Sequence, residues 1–115
     1  MKLYKTDEDG KFKYMICEYC DGGDLITVQS KQPNRVFPLD KATEILSFII
    51  KGLYSLHDAG YVHRDIKAEN ILMKTENGKE IYKLGDFGFT KNIKDISYTI
   101  LGTGAYMSPE LYSEE

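Results

Sequence analysis

The sequence predicts an α+β fold in which a short β ribbon precedes a longer part with one long helix. Three observations carry this prediction: two strand-like segments joined by a turn near the start, one long stretch with helical apolar periodicity, and an Asn-Gly turn between two further strand-like segments. The chain has 115 residues, 42% of them hydrophobic and 29% charged, which is typical of one small globular domain. Disorder across the whole chain is therefore not expected.

The first two strands are predicted to form a ribbon. Residues 3–6 and 12–18 have strand composition, and residues 7–10 (Asp-Glu-Asp-Gly) between them offer turn chemistry. Residues 21–24 (Asp-Gly-Gly-Asp) then predict a flexible joint. The polar residues 29–38 contain two prolines and predict a surface loop.

One long amphipathic helix is predicted next. Asp40 is suited to its N-cap, and Gly60 can end a helix in the left-handed conformation. Apolar residues recur between them at helical spacing, namely Ile45, Ile49, Leu53 and Leu56, with Leu46 and Ile50 beside them. A face this wide requires a packing partner, and we expect part of it to stay uncovered.

A second hairpin is predicted by residues 71–73 and 81–84, because the Asn-Gly pair between them favours a tight turn. Asn70 and Asp86 flank the open end of this hairpin, so we expect their side chains to lie close together. Residues 89–106 are rich in Lys, Thr, Ser and Gly with weak periodicity, which predicts a long irregular segment.

Composition argues against several classes of function. A net charge of −3 without a dense basic cluster does not favour nucleic-acid binding. Cys17 and Cys20 form a C-x-x-C pair, but a redox or zinc site would need a helix N-terminus or a second ligand pair, so this alternative is not favoured. The polar start of the chain and its short apolar runs predict no signal peptide and no membrane partner, hence a cytoplasmic setting with a nuclear one as the alternative.

A series of short motifs carries the chemistry. In chain order they are His63-Arg64-Asp65 followed by Lys67 and Asn70, then Asp86-Phe87-Gly88, Gly102-Thr103 and Ser108-Pro109-Glu110. Their order and spacing resemble the eukaryotic protein kinase family. The resemblance implies an incomplete protein-kinase-like fold over residues 1–115. In it, residues 1–20 are the end of the small β lobe with the hinge, and residues 21–115 are the first part of the mainly helical large lobe.

The resemblance implies catalytic roles for Asp65, Lys67 and Asn70, and a metal-binding role for Asp86 beside Asn70. Asp65 would orient the hydroxyl group of a protein substrate and accept its proton, and Lys67 would neutralise the migrating phosphoryl group. Asn70 and Asp86 would bind Mg²⁺, which prefers oxygen ligands, together with the phosphates of ATP. ATP and a protein substrate are the partners expected, and the sequence indicates no oligomeric state.

The resemblance also implies an ATP site at the hinge. Cys17 takes the gatekeeper position, and being small it predicts a roomy back pocket. The Glu18 carbonyl and the Cys20 amide would meet the purine edge, Asp24 would bind the ribose hydroxyls, and Leu72 would form the floor under the ring.

Further matches concern specificity and regulation. Lys67 and Thr103 are typical of the serine/threonine branch, and the hinge and Asp86-Phe87-Gly88-Phe89 segments are similar to the autophagy-initiating kinases. Arg64 next to the catalytic aspartate indicates control by phosphorylation, with Thr99 at the modified position and Lys91 as a second phosphate contact.

The resemblance begins at the fourth strand of the family's small lobe and ends soon after Ser108-Pro109-Glu110. The family's Gly-rich loop, its strand-three lysine and the paired glutamate have no match, so we expect little phosphate transfer by the isolated 115-residue chain. Three hypotheses remain: a piece of an active kinase, a non-catalytic kinase-like binding module, and a fragment that does not fold alone. Intact Asp65, Asn70 and Asp86 favour the first.

Overall fold

The computed structural model describes residues 1–95 and 103–109. The strands are β1 (Leu3–Glu8), β2 (Lys13–Cys17), β3 (Gly23–Asp24), β4 (Tyr61–Val62), β5 (Ile71–Glu76), β6 (Lys79–Leu84) and β7 (Lys91–Asn92). The α-helices are α1 (Leu25–Ser30) and α2 (Leu39–Asp58), and single 3₁₀ turns occupy Pro33–Arg35, Ala68–Asn70, Ile93–Asp95 and Gly104–Tyr106. In this part of the chain every strand pairing is antiparallel, in the orders β1-β2, β3-β5-β6 and β4-β7.

The predicted first ribbon is present as β1 and β2, but its turn lies later than expected. The turn spans residues 9–12, because Asp9 Oδ1 accepts hydrogen bonds from the backbone amides of Lys11 and Phe12 at 3.0 and 2.9 Å. Gly10 follows Asp9 with φ +84°, a conformation that glycine adopts at little cost. The prediction of a turn at residues 7–10 is therefore wrong by two residues.

The predicted flexible joint is wrong, because residues 22–24 are bound to β5. The amide of Gly22 donates to the Met73 carbonyl at 3.1 Å, and β3 pairs with β5 immediately after it. Asp24 then caps α1 by accepting from the Thr27 amide at 2.7 Å. Because α1 is only six residues long, its few apolar side chains give no periodic signal in the sequence. The predicted loop at residues 29–38 is accordingly interrupted by the end of α1 and by a 3₁₀ turn.

The long helix is confirmed as α2, with one correction at its start. Pro38 occupies the N-cap without a side-chain hydrogen bond, so the predicted cap Asp40 lies inside the first turn. The predicted end is confirmed, since Gly60 has φ +81° and donates to the His57 carbonyl at 2.9 Å.

The hydrophobic core lies between α2 and the β5–β6 hairpin. Its buried apolar residues are Val28, Ile45, Ile49, Ile71, Tyr82 and Leu84. The opposite face of α2 leaves Leu46, Ile50 and Tyr54 exposed, as the width of the apolar stripe predicted.

The second hairpin is confirmed and is longer than predicted. Asn77 and Gly78 form its two-residue turn with φ +52° and +74°, as a type I′ turn requires. Side chains alternate between two faces along the hairpin. Tyr82 and Leu84 lie on the core face, while Leu72, Lys74 and Lys83 share the other face.

The stretch from residue 89 to residue 106 is only partly irregular. β7 pairs with β4, and the Ile93 amide donates to the Gly60 carbonyl at 2.8 Å, which ties this stretch to the end of α2. Residues 96–102 lie outside the described part of the chain. None of the described helices is long and apolar enough to cross a membrane.

Candidate active site

A buried histidine, His63, holds the loop between β4 and β5 in place. His63 is 1% exposed, and its Nε2 lies 2.8 Å from the Gly85 carbonyl oxygen. The backbone amide of Asp65 lies 3.3 Å from His63 Nδ1. Because a backbone amide can only donate, Nδ1 is the acceptor and the ring proton is on Nε2. His63 thus joins the loop that carries Asp65 to the end of β6.

The Asp65 carboxylate is buried and collects contacts from three other residues. Thr103 Oγ1 donates to Oδ1 at 2.9 Å, and Asn70 Nδ2 donates to Oδ2 at 2.9 Å. Lys67 Nζ lies 3.3 Å from Oδ2 and donates to Thr103 Oγ1 at 2.7 Å. The structure therefore brings together the three residues that the resemblance implied as catalytic and Thr103, which it had implied only for specificity and regulation.

These contacts decide the charge on Asp65. Burial alone raises the pKa of the Asp65 carboxyl, but the hydrogen bonds from Thr103, Lys67 and Asn70 and the charge of Lys67 outweigh it. The net pKa lies below the ordinary aspartate value, so the carboxylate is ionised at neutral pH. An ionised carboxylate at this position is able to accept a hydrogen bond from a substrate hydroxyl group.

Asn70 and Asp86 stand at the open end of the hairpin, as predicted. The Gly85 amide donates to the Asn70 carbonyl at 2.8 Å, which places Asp86 one residue beyond this bond. The Asn70 Nδ2 also donates a hydrogen bond to the Asp65 backbone carbonyl oxygen at 2.9 Å. The other atom of the side-chain amide, Oδ1, is therefore the one suited to bind a cation.

Asp86 has φ +50°, and its Oδ1 accepts from the Gly88 amide at 3.2 Å. Asn70 and Asp86 together offer hard oxygen ligands that fit Mg²⁺, which usually keeps several waters or phosphate oxygens as further ligands. In the described part of the chain, no group of three or more His, Cys, Asp or Glu side chains could hold a metal ion.

The hinge residues lie between β2 and β3. Cys17 and Cys20 are free thiols and half-buried. The Asp24 carboxylate, expected at the ribose, caps α1, and the hydrogen bonds from the Thr27 backbone and side chain lower the pKa of Asp24. Leu72, expected under the adenine ring, lies directly opposite Lys83 in the β5–β6 hairpin.

The Glu18 side chain is the feature that the sequence reasoning missed, because that reasoning used only the backbone carbonyl of Glu18. The side chain is buried and contacts Lys74 and Lys83, with Nζ–carboxylate distances of 3.1 and 2.8 Å. A partial signal was present in the sequence: Lys83 lies in one predicted strand of the hairpin and Lys74 directly follows the other, and like charges close together on a hairpin favour a nearby anion.

The residues expected to regulate the site are only partly described. Arg64 has φ +68°, and its Nε donates to the Phe89 carbonyl at 2.6 Å. Lys91 lies in β7, opposite Val62 in β4, and Val62 precedes Arg64 by two residues. Thr99 lies outside the described residues. The pairing of Lys91 and Arg64 with a phosphate on Thr99 therefore stays a prediction.

A small open cleft lies beside Asp65. It has a volume of about 210 Å³. Its lining comes from two segments of the chain, residues 64–66 and residues 103 and 106–108. The cleft places a solvent-accessible space next to the buried carboxylate.

Comparison with known proteins agrees with this arrangement. Residues 1–115 match the protein kinase domain family. Similar curated proteins include "Serine/threonine-protein kinase DCLK3" of Mus musculus, 37% identical over 116 residues. Another is "cAMP-dependent protein kinase, catalytic subunit-like" of Caenorhabditis elegans, 36% identical over 110 residues. A third is "Inhibitor of nuclear factor kappa-B kinase subunit epsilon" of Mus musculus, 35% identical over 119 residues.

These alignments cover 100%, 96% and 97% of the chain, but only 14%, 26% and 16% of the respective relatives. The family match confirms the predicted α+β, protein-kinase-like fold, with an antiparallel ribbon before the first large-lobe helices. The division at residue 20 and the subfamily stay predictions. Because the match extends over the whole sequence, the chain belongs to the protein kinase domain family.

Proposed function

We propose that the protein is a serine/threonine protein kinase, which transfers the γ-phosphoryl group of ATP to serine or threonine hydroxyl groups of proteins. One observation carries the proposal. The ionised Asp65 carboxylate is fixed by Asn70 and Thr103 and lies beside the ammonium group of Lys67. One of the curated relatives is named a serine/threonine-protein kinase, and members of this family use ATP and Mg²⁺.

The contacts of Asp65 leave room for a substrate. A carboxylate has about four lone-pair positions on its two oxygens. Among the described residues, Oδ1 accepts only from Thr103, while Oδ2 faces Asn70 and Lys67. A substrate hydroxyl group can therefore donate to the second lone pair of Oδ1 without displacing any side chain.

In the proposed step, the hydroxyl oxygen forms a bond to the γ-phosphorus while the bond from that phosphorus to the bridging oxygen of ADP breaks. The hydroxyl proton passes to Asp65. Charge spreads over the transferred group in a loose transition state, so stabilisation by a nearby cation matters more than a strong base. Lys67 supplies that cation. Its Nζ lies beside the Asp65 carboxylate, and its hydrogen bond to Thr103 Oγ1 fixes the ammonium group in this position.

Asn70 and Asp86 would hold Mg²⁺, which when bound neutralises charge on the phosphates. Their positions beside the two strands at the open end of one hairpin allow a common cation without a long connecting loop. Cys17, the Glu18 carbonyl, the Cys20 amide, Asp24 and Leu72 are the proposed ATP contacts.

The proposal is tested with the protein in its full natural length. Asp65→Asn keeps the shape of the side chain and removes its charge, so phosphate transfer to a serine-containing protein should fall by roughly 10²- to 10⁴-fold. The matched control is Asp58→Asn, the same change at an exposed position at the end of α2, which should leave the rate unchanged.

A titration with ATP in the presence and absence of Mg²⁺ completes the test. Asp86→Asn should weaken Mg²⁺-dependent binding, while binding without Mg²⁺ should change little. Mg²⁺-dependent binding without any Asp65-dependent transfer would instead support the alternative, a non-catalytic nucleotide-binding module. Absence of both binding and transfer would contradict the kinase proposal and its alternative together.

Regulation by phosphorylation of Thr99 belongs to the same proposal. A phosphate adds about −1.5 to −2 charges at neutral pH and can pair with Arg64 and Lys91. The Thr99→Ala protein should show reduced transfer, measured against Thr90→Ala as a threonine control in the same segment. Full activity of the Thr99→Ala protein would refute this part of the proposal.

A further inference from the structure

The β1–β2 ribbon is attached to the rest of the described chain at few points. Its two strands make extensive contacts only with each other among the described elements, and most of their side chains are exposed. The core between α2 and the β5–β6 hairpin does not include a residue of either strand. The orientation of the ribbon therefore depends on the residues at its base.

Glu18 forms the main side-chain connection at that base. It follows β2 directly and is only 7% exposed. Both carboxylate oxygens lie 2.8 Å from Lys83 Nζ, and Oε2 lies 3.1 Å from Lys74 Nζ. Oε1 also accepts from the Lys2 amide, and the Glu18 amide donates to the Lys2 carbonyl at 2.8 Å. One carboxylate thus joins both ends of the ribbon to the hairpin.

The hairpin presents the two lysines in a way that requires this carboxylate. Lys83 pairs with Leu72 and Lys74 pairs with Ile81, so the lysines are diagonal neighbours on one face. The two ammonium groups repel each other, because both lie close to the same carboxylate. Both lysine side chains are about three-quarters buried. A negative charge between them removes the repulsion, and a buried carboxylate in turn needs the two cations.

The other end of the hinge is tied to the same hairpin by the backbone. The Thr75 amide donates to Asp21 Oδ1 at 2.7 Å, and the Gly22 amide donates to the Met73 carbonyl at 3.1 Å. Residues 18 and 21–22 are therefore both fixed to the hairpin, so both ends of the segment that contains residues 19 and 20 are held in place. The Glu18 end depends on ion pairs with two lysines, whereas the Asp21–Gly22 end depends on hydrogen bonds to backbone groups of β5.

We propose that Glu18 is a positioning residue for nucleotide binding: with Lys74 and Lys83 it fixes the backbone of residues 18–20 over Leu72, so that these peptide groups meet the purine without prior ordering. This inference rests on the proposed kinase function. A site fixed before binding loses less conformational entropy when the ligand arrives, so loss of the tether weakens ATP binding.

The test uses Glu18→Gln in the protein of full natural length, because glutamine keeps the size of the side chain and removes the charge. The KM for ATP should rise roughly tenfold, the coupling expected of a small charge network, while kcat at saturating ATP stays within about twofold. Amide hydrogen exchange should become faster in residues 3–17 and stay unchanged in α2.

Glu8→Gln is the matched control, since it makes the same change at an exposed position in β1 and should alter neither quantity. A triple variant, Glu18→Lys with Lys74→Glu and Lys83→Glu, reverses every charge in the cluster and should recover part of the ATP affinity. Recovery separates the role of charge from a role of side-chain shape.

The outcomes distinguish this inference from the function on which it rests. An unchanged KM for ATP in an active Glu18→Gln protein would overturn the inference and leave the kinase function standing. Equally faster exchange in α2 would also overturn it, because Glu18 would then stabilise the whole fold. If the wild-type protein binds no ATP, the proposed function and the nucleotide role of Glu18 both fail.

Discussion

Thr103 Oγ1 donates a hydrogen bond to Asp65 Oδ1 at 2.9 Å, across 38 residues of sequence. The same oxygen accepts from Lys67 Nζ at 2.7 Å, so Thr103 acts as donor and acceptor at once. A hydroxyl group is the simplest side-chain group able to do both. The threonine thereby connects the loop after β4 with the 3₁₀ turn at residues 104–106.

Replacing Thr103 with valine should disable this connection with little change in volume. Asp65 loses a donor and Lys67 loses its anchor, so we expect phosphate transfer to fall roughly 100-fold, within the range for misplaced acid–base groups. The ATP dissociation constant should change less than about twofold, because Thr103 is not in contact with any of the described residues that we propose to contact ATP at the hinge. Thr103→Ser keeps the hydroxyl group and should retain most of the activity. Equal rates for the valine and serine variants would contradict the assigned role.

The ion-pair cluster around Glu18 should make the stability of the fold decrease at acid pH. Hydrogen bonds from Lys83 lower the pKa of Glu18 most; burial opposes them, and Lys74 and the Lys2 amide add to the lowering, giving a pKa of about 2 against an ordinary value of 4.5. Because the folded-state pKa is depressed, the stabilisation is complete above about pH 4.5 and is lost as the pH falls toward 2. We expect this cluster to contribute on the order of 1–2 kcal/mol, reduced by solvent screening of the lysines.

Urea unfolding at neutral pH and near pH 3 measures this contribution. The Glu18→Gln chain should be less stable at neutral pH and should lose less stability on acidification than the wild type. An identical pH dependence for the two chains would show that other carboxylates account for the acid sensitivity.

Gly85 lies next to the active site, at a position that has no room for a side chain. A Cβ atom at this position would lie 2.8 Å from Leu72 Cδ1, closer than carbon atoms approach in proteins. Gly85→Ala should therefore reduce the free energy of unfolding by about 1–3 kcal/mol, measured by chemical denaturation. Leu72→Ala provides the room that is missing, so the double variant should lose less than the sum of the two single losses. Additive losses would mean that the clash is relieved elsewhere.

At the junction of α2 and β6, the hydroxyl group of Tyr82 should contribute to the stability of the fold. Tyr82 is 2% exposed, its hydroxyl donates to Glu80 at 3.0 Å, and Lys41 lies 5.2 Å from the ring centroid and 2.6 Å from Glu80. Tyr82→Phe keeps the ring and removes the hydrogen bond, so the chain should lose about 1 kcal/mol of stability.

The control for this prediction is Tyr54→Phe, the same substitution on the exposed face of α2, which should change stability by less than about 0.5 kcal/mol. Thermal or denaturant unfolding of both variants gives the comparison. Equal losses would show that the hydrogen bond from the Tyr82 hydroxyl to Glu80 contributes no measurable stability.

Local patterns in the sequence were sufficient where one short segment carries the information. The Asn77-Gly78 turn, the course of α2 and its end at Gly60 follow from φ preferences and apolar spacing, which neighbouring residues set. The ribbon turn was misplaced because two aspartates, Asp7 and Asp9, offer equivalent turn chemistry. Only Asp9 has the amides of residues 11 and 12 within reach.

Short elements could not be predicted, because long-range pairing stabilises them. β3 and β7 have two residues each, and they exist because β5 and β4 provide partners. The supposed flexible joint is paired with β5 for the same reason, since the Met73 carbonyl, far away in sequence, accepts a hydrogen bond from the Gly22 amide. No window of neighbouring residues contains that information.

The sequence by itself determined the family and the chemical identity of the site, since the order of Asp65, Asn70 and Asp86 is a property of the chain alone. Only the tertiary structure decided which groups share a charge or a proton: Thr103 on Asp65, and Glu18 between Lys74 and Lys83. The physical reason is that an ion pair or hydrogen bond depends on distance in space and on burial. Folding sets both quantities by bringing together residues that lie 36 to 65 positions apart.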